Sequence, residues 1–227
     1  MIQGMKALVI GATGAVGKDL VGMLLGDDSF SHVTVFVRRP LGFDNPKLTV
    51  HVVDFDRPED WKHLVEGDVL FSCLGTTIKA AGSQEEQWKV DYTYQYDAAR
   101  AARENGVRTY VLVSAVNASP DSKFFYNRMK GQLDEAVKAL GFPGCFILQP
   151  PSLIRKGSDR FGEKAGVAVL KAFNSVGLMR AYRPMPTEAV AAAMIRLAKS
   201  GREATETIVS QDILNPDPTC LSGPGRS

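Results

Sequence analysis

One stretch constrains the fold of this chain more than any other: Lys6-Ala7-Leu8-Val9-Ile10-Gly11-Ala12-Thr13-Gly14-Ala15-Val16-Gly17-Lys18-Asp19-Leu20. An apolar run breaks into glycines and resumes with helical spacing, which predicts strand, tight turn and helix in succession. Glycines three residues apart let the backbone reverse sharply, approach a ligand closely and seat the helix on the strand, while free N–H groups at the helix start attract phosphate. The backbone of Gly11, Thr13, Gly14, Ala15, Val16 and Gly17 is therefore a candidate cradle for a pyrophosphate. The commoner G-x-G-x-x-G fingerprint has an acidic residue about 20 positions further on. This G-x-x-G-x-x-G variant lacks it, and the same glycines also suit a strand-to-helix turn that binds nothing.

Strands and helices then alternate. The first helix carries Leu20, Val21, Leu24 and Leu25 and stops near Gly26-Asp27-Asp28; a β-branched run from Val33 to Val37 is the second strand, ended by Arg38-Arg39-Pro40. In a dinucleotide-binding unit the residue just past that strand faces the adenine ribose, where a carboxylate suits NAD and an arginine suits the 2′-phosphate of NADP. Arg38 and Arg39 favour NADP, or else form a solvated turn. Thr49 to Val53 is the third strand. Asp54 at its end either hydrogen-bonds the adenine or, with Asp56, caps a short helix begun by Pro58. Asp68 to Leu74 is the fourth strand, and Gly75-Thr76-Thr77 suits a loop beside a ribose.

Ser83 and Glu86 have capping-box spacing and Asn105-Gly106 supplies a stop, framing a long helix with Trp88, Asp91, Gln95, Ala98, Ala99 and Ala102 on its inward stripe. A carboxylate there is costly unless paired, so Asp91 is expected to have a partner near the cleft. Tyr110 to Ser114 is the fifth strand, Ser122 to Leu140 a helix, Cys145 to Leu148 the sixth strand, Glu188 to Lys199 a helix and Thr207 to Val209 an edge strand. The pattern implies an α/β fold, a doubly wound parallel sheet of Rossmann type with helices on both faces and ligands at its carboxyl edge. One domain over 1–215 is expected, with 150–186, including a helix from Ala165 to Phe173, as a small lid or substrate region, and 216–227 as a loose tail.

Composition mainly excludes. Lys plus Arg number 27 against 25 Asp plus Glu, a net charge of +2 that gives no footprint for nucleic acid or an acidic membrane. No apolar run reaches membrane-spanning length. Cys73, Cys145 and Cys220 are scattered and match neither a metal site nor a disulfide framework. With no export signal before the first strand, the expected compartment is the cytosol.

Tyr126-Asn127-Arg128-Met129-Lys130 stacks a phenol and an ammonium on one helix face, and Ser114 precedes them at a strand end. A phenol ionises near about pH 10, so a cation is needed to stabilise its anion at neutral pH; Lys130 supplies that field and Ser114 can hold a carbonyl. With Gly11-Ala12-Thr13-Gly14, Val53-Asp54-Phe55, Cys73-Leu74-Gly75-Thr76-Thr77, Lys89-Val90-Asp91 and Tyr126 to Gly131, the chain from Lys6 to Val209 resembles an atypical short-chain dehydrogenase/reductase. It is most similar to the Tat-interacting-protein (oxidoreductase-like) branch. The resemblance implies a Rossmann fold, NADP, a catalytic set of Ser114, Tyr126, Lys130 and Asp91, and cofactor contacts that also include Phe55, Leu74, Gly75, Thr76 and Pro150. The superfamily commonly has asparagine where this chain has Asp91, and the branch often has Arg-Pro where this chain has Gln149-Pro150. The expected function is NADP-dependent hydride transfer with a small carbonyl or hydroxyl compound. The rival is an NADP-binding redox sensor or scaffold with a protein partner. An epimerase needs more substrate-binding chain.

Overall fold

The computed structural model describes residues 4–154 and 184–215. Seven strands form one sheet: β1 (Met5–Ile10), β2 (Phe30–Val37), β3 (Leu48–Val52), β4 (Val69–Ser72), β5 (Thr109–Val113), β6 (Gly144–Gln149) and, after the short pair β7 (Leu153–Ile154) and β8 (Met185–Pro186), β9 (Thr205–Val209). Their order is β3-β2-β1-β4-β5-β6-β9 and every pairing is parallel. Chain direction across the sheet reverses between β1 and β4, and the crevice at their carboxyl ends is where ligands bind in such sheets. The expected lid helix, the tail and Cys220 lie outside the described residues.

Alternation within each strand sends side chains to two cores. Ala7, Val9, Val33, Val35, Phe71, Val111 and Phe146 face the layer that contains α1 (Ala15–Gly26), while Leu8, Ile10, Phe36, Leu70, Tyr110, Leu112 and Ile147 face the opposite layer. That layer holds α2 (Ile78–Ala81), α3 (Gln84–Trp88), α4 (Tyr94–Glu104) and α5 (Phe125–Ala139); α6 (Thr187–Ala198) packs beside α1, and α7 (Ser210–Ile213) ends the described chain. Both faces are covered, which is why the central strands are apolar almost throughout. Ala98, Ala99 and Ala102 bring α4 close to the sheet.

The long helix is not continuous. Ser83 caps α3 by accepting from the Glu86 N–H at 3.1 Å, as its spacing predicted, but Lys89–Thr93 is a π-turn before α4 resumes. The extra residue shifts the buried stripe: Gln87 lies inward ahead of the turn in place of Trp88, and Asp91, Gln95 and Ala98 lie inward after it. Such turns recur at functional sites because they re-aim one side chain.

Glycine is required at the first turn. Gly11 has φ +79°, and a Cβ there would sit 2.4 Å from the Cys73 carbonyl carbon. At Gly17 a Cβ would sit 2.1 Å from Gly11 O, whereas at Gly22, exposed in the middle of α1, it would meet nothing within 4 Å. Gly17→Ala is therefore expected to cost about 1–3 kcal/mol or more, lowering Tm by about 3–10 °C, while Gly22→Ala gains up to about 1 kcal/mol. Thermal unfolding followed by circular dichroism checks the pair; equal effects would contradict the close helix–strand seat.

Candidate active site

At the start of α1, Gly14 is the N-cap, no side chain caps the helix, and no acidic residue occupies its first turn. The first N–H groups, those of Ala15, Val16 and Gly17, face the carboxyl edge with the positive end of the helix behind them. Thr13 is exposed beside them. Arg38 and Arg39, just past β2, are exposed and have no carboxylate partner among the described residues. These groups fit a dinucleotide phosphate on one side and an anionic ribose substituent on the other.

Two further residues on this rim are occupied locally. The Asp54 carboxylate accepts from the Asp56 N–H at 3.0 Å within a local turn, while the short helical turn Pro58–Asp60 has Arg57 at its N-cap and no side-chain cap, so neither aspartate caps it. Phe55 is buried, stacked on Tyr94 at 5.4 Å between centroids and edge-on to Trp61, so only its backbone is at the edge. Leu74 is half-buried, Gly75 is exposed, and Pro150 is buried with its carbonyl accepting from Val116 N–H at 3.0 Å. A Cβ on Gly75 would make only ordinary contact with Asp91, so glycine there is not a steric necessity.

The centre of the site is a buried ion pair. Lys130 Nζ lies 3.2 Å from Asp91 Oδ1, the side chains 2% and 0% exposed, and Asp91 Oδ2 accepts from the Thr76 N–H at 2.8 Å. The partner expected for Asp91 is therefore Lys130 itself. Gln95 holds the π-turn by donating to the Asp91 carbonyl at 2.7 Å, and Ser72 in turn donates to Gln95 at 2.7 Å. Gln87 fixes the Thr76 carbonyl at 3.1 Å.

Electrostatics in this cluster are coupled. Burial pushes the Asp91 carboxyl up, opposed by Lys130 and by the Thr76 N–H. Burial alone would lower the Lys130 ammonium, but Asp91, Tyr126 and Asp134 together hold it above its ordinary value, so the lysine stays a cation. Tyr126, 39% exposed as a residue, has its phenol raised by burial; Lys130 pulls it down and Asp91 and Asp134 oppose that pull. The lysine field thus acts on the phenol in the expected direction, but is partly spent on Asp91. Ser114 is buried beyond the end of β5, its N–H donating to Leu148 O at 2.7 Å.

One residue here escaped the sequence reading. Asp134, 3% exposed, lies eight positions past Tyr126 on the same line of α5, and Gln149 Nε2 donates to its Oδ2 at 3.0 Å. The four-residue spacing of Tyr126, Lys130 and Asp134 was the available signal. Gly131 belongs with them: a Cβ there would sit 2.1 Å from the Ser119 carbonyl carbon, so its absence lets the loop after β5 press onto α5. A separate cavity of about 370 Å³ lined by Gly4, Lys6, Glu66, Gly67 and Asp68 opens at the amino edge, away from this chemistry. Among the described residues no three His, Cys, Asp or Glu side chains are grouped to hold a metal, and no helix is long and apolar enough to cross a membrane.

Residues 11–200 match the NAD(P)H-binding family. The chain is 33% identical over 226 residues to the mitochondrial protein FMP52 of Saccharomyces cerevisiae, covering 93% of this chain and 96% of that one, and 34% identical to mitochondrial FMP52-1 of Scheffersomyces stipitis, covering 88% and 90%. Its fold is similar to that of a UDP-glucose 4-epimerase from Thermotoga maritima (TM-score 0.67, 14% identity, 90% of this chain and 77% of that one) and a short chain dehydrogenase family protein from Francisella tularensis (0.65, 16%, 91% and 96%). Two expectations change. The relatives bear the FMP52 name and the family is NAD(P)H-binding, with a fold like that of a short chain dehydrogenase family protein, so the likeness is not specifically to the Tat-interacting branch. Their mitochondrial names overturn the cytosolic expectation and point to the mitochondrion.

The pair makes a stability prediction. Lys130→Met leaves Asp91 buried without its cation, which costs about 3–5 kcal/mol at about pH 8. Because the Asp91 carboxyl in the folded chain already lies above its ordinary 3.8, the folded state takes up a proton before the unfolded chain does, and the deficit narrows as pH falls towards that value. Urea unfolding at about pH 8 and pH 5 measures it. An identical deficit at both would contradict the pairing, and Asp91→Leu/Lys130→Met is expected to recover most of the loss.

Proposed function

The chain belongs to the NAD(P)H-binding family and to the family of the FMP52 proteins, and from that premise we propose an NADP-dependent oxidoreductase that moves a hydride between the nicotinamide and a small carbonyl or hydroxyl compound. The observation that carries this reading is the buried Asp91–Lys130 pair, set beside Tyr126 at the same sheet edge as the uncapped start of α1. In this reading the N–H groups of Ala15, Val16 and Gly17 hold the pyrophosphate. Arg38 or Arg39 pairs with a 2′-phosphate, which selects NADP over NAD. Lys130 and the backbone at Thr76 lie along the nicotinamide ribose.

When bound, the nicotinamide supplies or accepts the hydride. In the reducing direction a carbonyl carbon gains that hydride and its oxygen gains one proton. Tyr126 Oη gives the proton; Lys130 stabilises the phenolate left behind, and solvent at the open mouth of the cleft restores it. Asp91, in the place of the superfamily's asparagine, keeps the lysine charged and aligned. The mitochondrion is the proposed compartment.

The test has two arms. NADPH and NADH are titrated against wild type and Arg38→Ala/Arg39→Ala; loss of a charge-assisted pair of about 1.5–3 kcal/mol should cost ten- to a hundredfold in NADPH affinity and little for NADH. A panel of aldehydes, ketones and quinones is then screened by NADPH oxidation. Tyr126→Phe is expected to lower turnover by about 10² to 10⁴ with NADPH affinity nearly unchanged. Tight NADPH binding with no turnover of any compound, or full activity in Tyr126→Phe, would favour an NADP-binding sensor that acts through a protein partner.

A further inference from the structure

Asp134 has no part in that chemistry, yet three features fix its place. It continues the line of Tyr126 and Lys130 along α5. Gln149 occupies its Oδ2 at 3.0 Å. The β5–β6 register pairs Val113 with Leu148 and continues through Ser114 N–H to Leu148 O, so Ser114 and Gln149 leave the sheet side by side beneath Asp134. What remains is Asp134 Oδ1 and Ser114 Oγ, both buried and neither satisfied by an aligned hydrogen bond. The Ser114 hydroxyl acts on the Asp134 carboxyl, pulling it down against burial. A carboxylate only accepts, and a serine hydroxyl has one proton to give.

We propose that Asp134 is a positioning residue that draws the Ser114 proton away from the cleft, so that Ser114 meets the substrate as an acceptor and the site selects the hydroxyl over the carbonyl member of a substrate pair. The substrate part rests on the oxidoreductase reading; the proposed hydrogen bond from Ser114 to Asp134 does not. Tyr126 remains the donor: its protonated phenol gives a hydrogen bond to the substrate oxygen while the substrate hydroxyl gives one to Ser114 Oγ. A carbonyl offers Ser114 no proton and forfeits that bond. The other ionisable groups facing Asp134 are Lys130 and Lys138 on α5, Tyr126, Tyr110 on β5 and Cys145 on β6. The lysines favour the carboxylate, the form the device requires.

The hydrogen bond is tested without turnover, by following the Asp134 carboxyl carbon through a pH titration by ¹³C NMR. Removing a donor to a charged group should move the titration up by about one to two pH units in Ser114→Ala. No movement would overturn the proposal, and this arm does not depend on an Asp134 variant folding. Selectivity is tested with cyclohexanol and cyclohexanone as probes, titrated by saturation-transfer NMR against the chain loaded with NADP⁺. Wild type is expected to favour the alcohol. Asp134→Asn, whose amide donates to Ser114 and frees its proton, should shift the ratio about tenfold towards the ketone; an unchanged ratio would overturn the selectivity. Failure of the chain to bind nucleotide at all would sink the oxidoreductase reading and the selectivity with it, while the carboxyl titration still decides the hydrogen bond.

Discussion

The site depends on a buried charge that the fold has to neutralise. Lys130 and Asp91 are both removed from water, and taking ions of that size out of solvent costs several kcal/mol each even after relaxation. Two apolar side chains would join the π-turn to α5 without that cost. In the proposed chemistry the charges act on their neighbour: Lys130 pulls the Tyr126 phenol down against the burial that raises it, and Asp91 opposes the burial that would lower the Lys130 ammonium.

Much of the nearby structure serves that pair. The π-turn rotates Asp91 inward, Gln95 and Ser72 lock the turn from the core, and Gln87 and the Thr76 N–H tie the loop after β4 to the same carboxylate. On the other side Gly131 lets the loop after β5, in which Asn117 has φ +62°, lie against α5. One carboxylate therefore couples the loop expected beside the ribose to the lysine expected beside the phenol. Asp134, held by Gln149, adds a second buried carboxylate on the same line of α5.

Legibility in the sequence followed the physics of each feature. Gly11 and Gly17 could be read because a Cβ at either would fall 2.4 or 2.1 Å from neighbouring backbone, a constraint sequence alone expresses. The parallel sheet could be read because parallel strands covered on both faces are apolar runs separated by helices. The π-turn could not, since residues on either side of it each keep helical periodicity, and so Trp88 was placed inward where Gln87 lies. Asp134 reads as an ordinary polar break beside Leu133 until Gln149 is seen to meet it. Phe55 sits in a motif that suggests the adenine, yet an aromatic with Trp61 and Tyr94 in reach packs with them. Compartment left no mark that composition could carry.

The central claim is that the glycine turn and the Tyr126–Lys130–Asp91 cluster are two ends of one nucleotide site. A crystal structure of the chain with NADP⁺ bound tests it most directly. The account predicts the pyrophosphate on the N–H groups of Ala15 to Gly17, the 2′-phosphate against Arg38 or Arg39, and an open pocket between the nicotinamide and Tyr126 in which a substrate atom lies about 3–3.5 Å from each. A nucleotide bound elsewhere, or a nicotinamide ring that leaves no space before Tyr126, would contradict it.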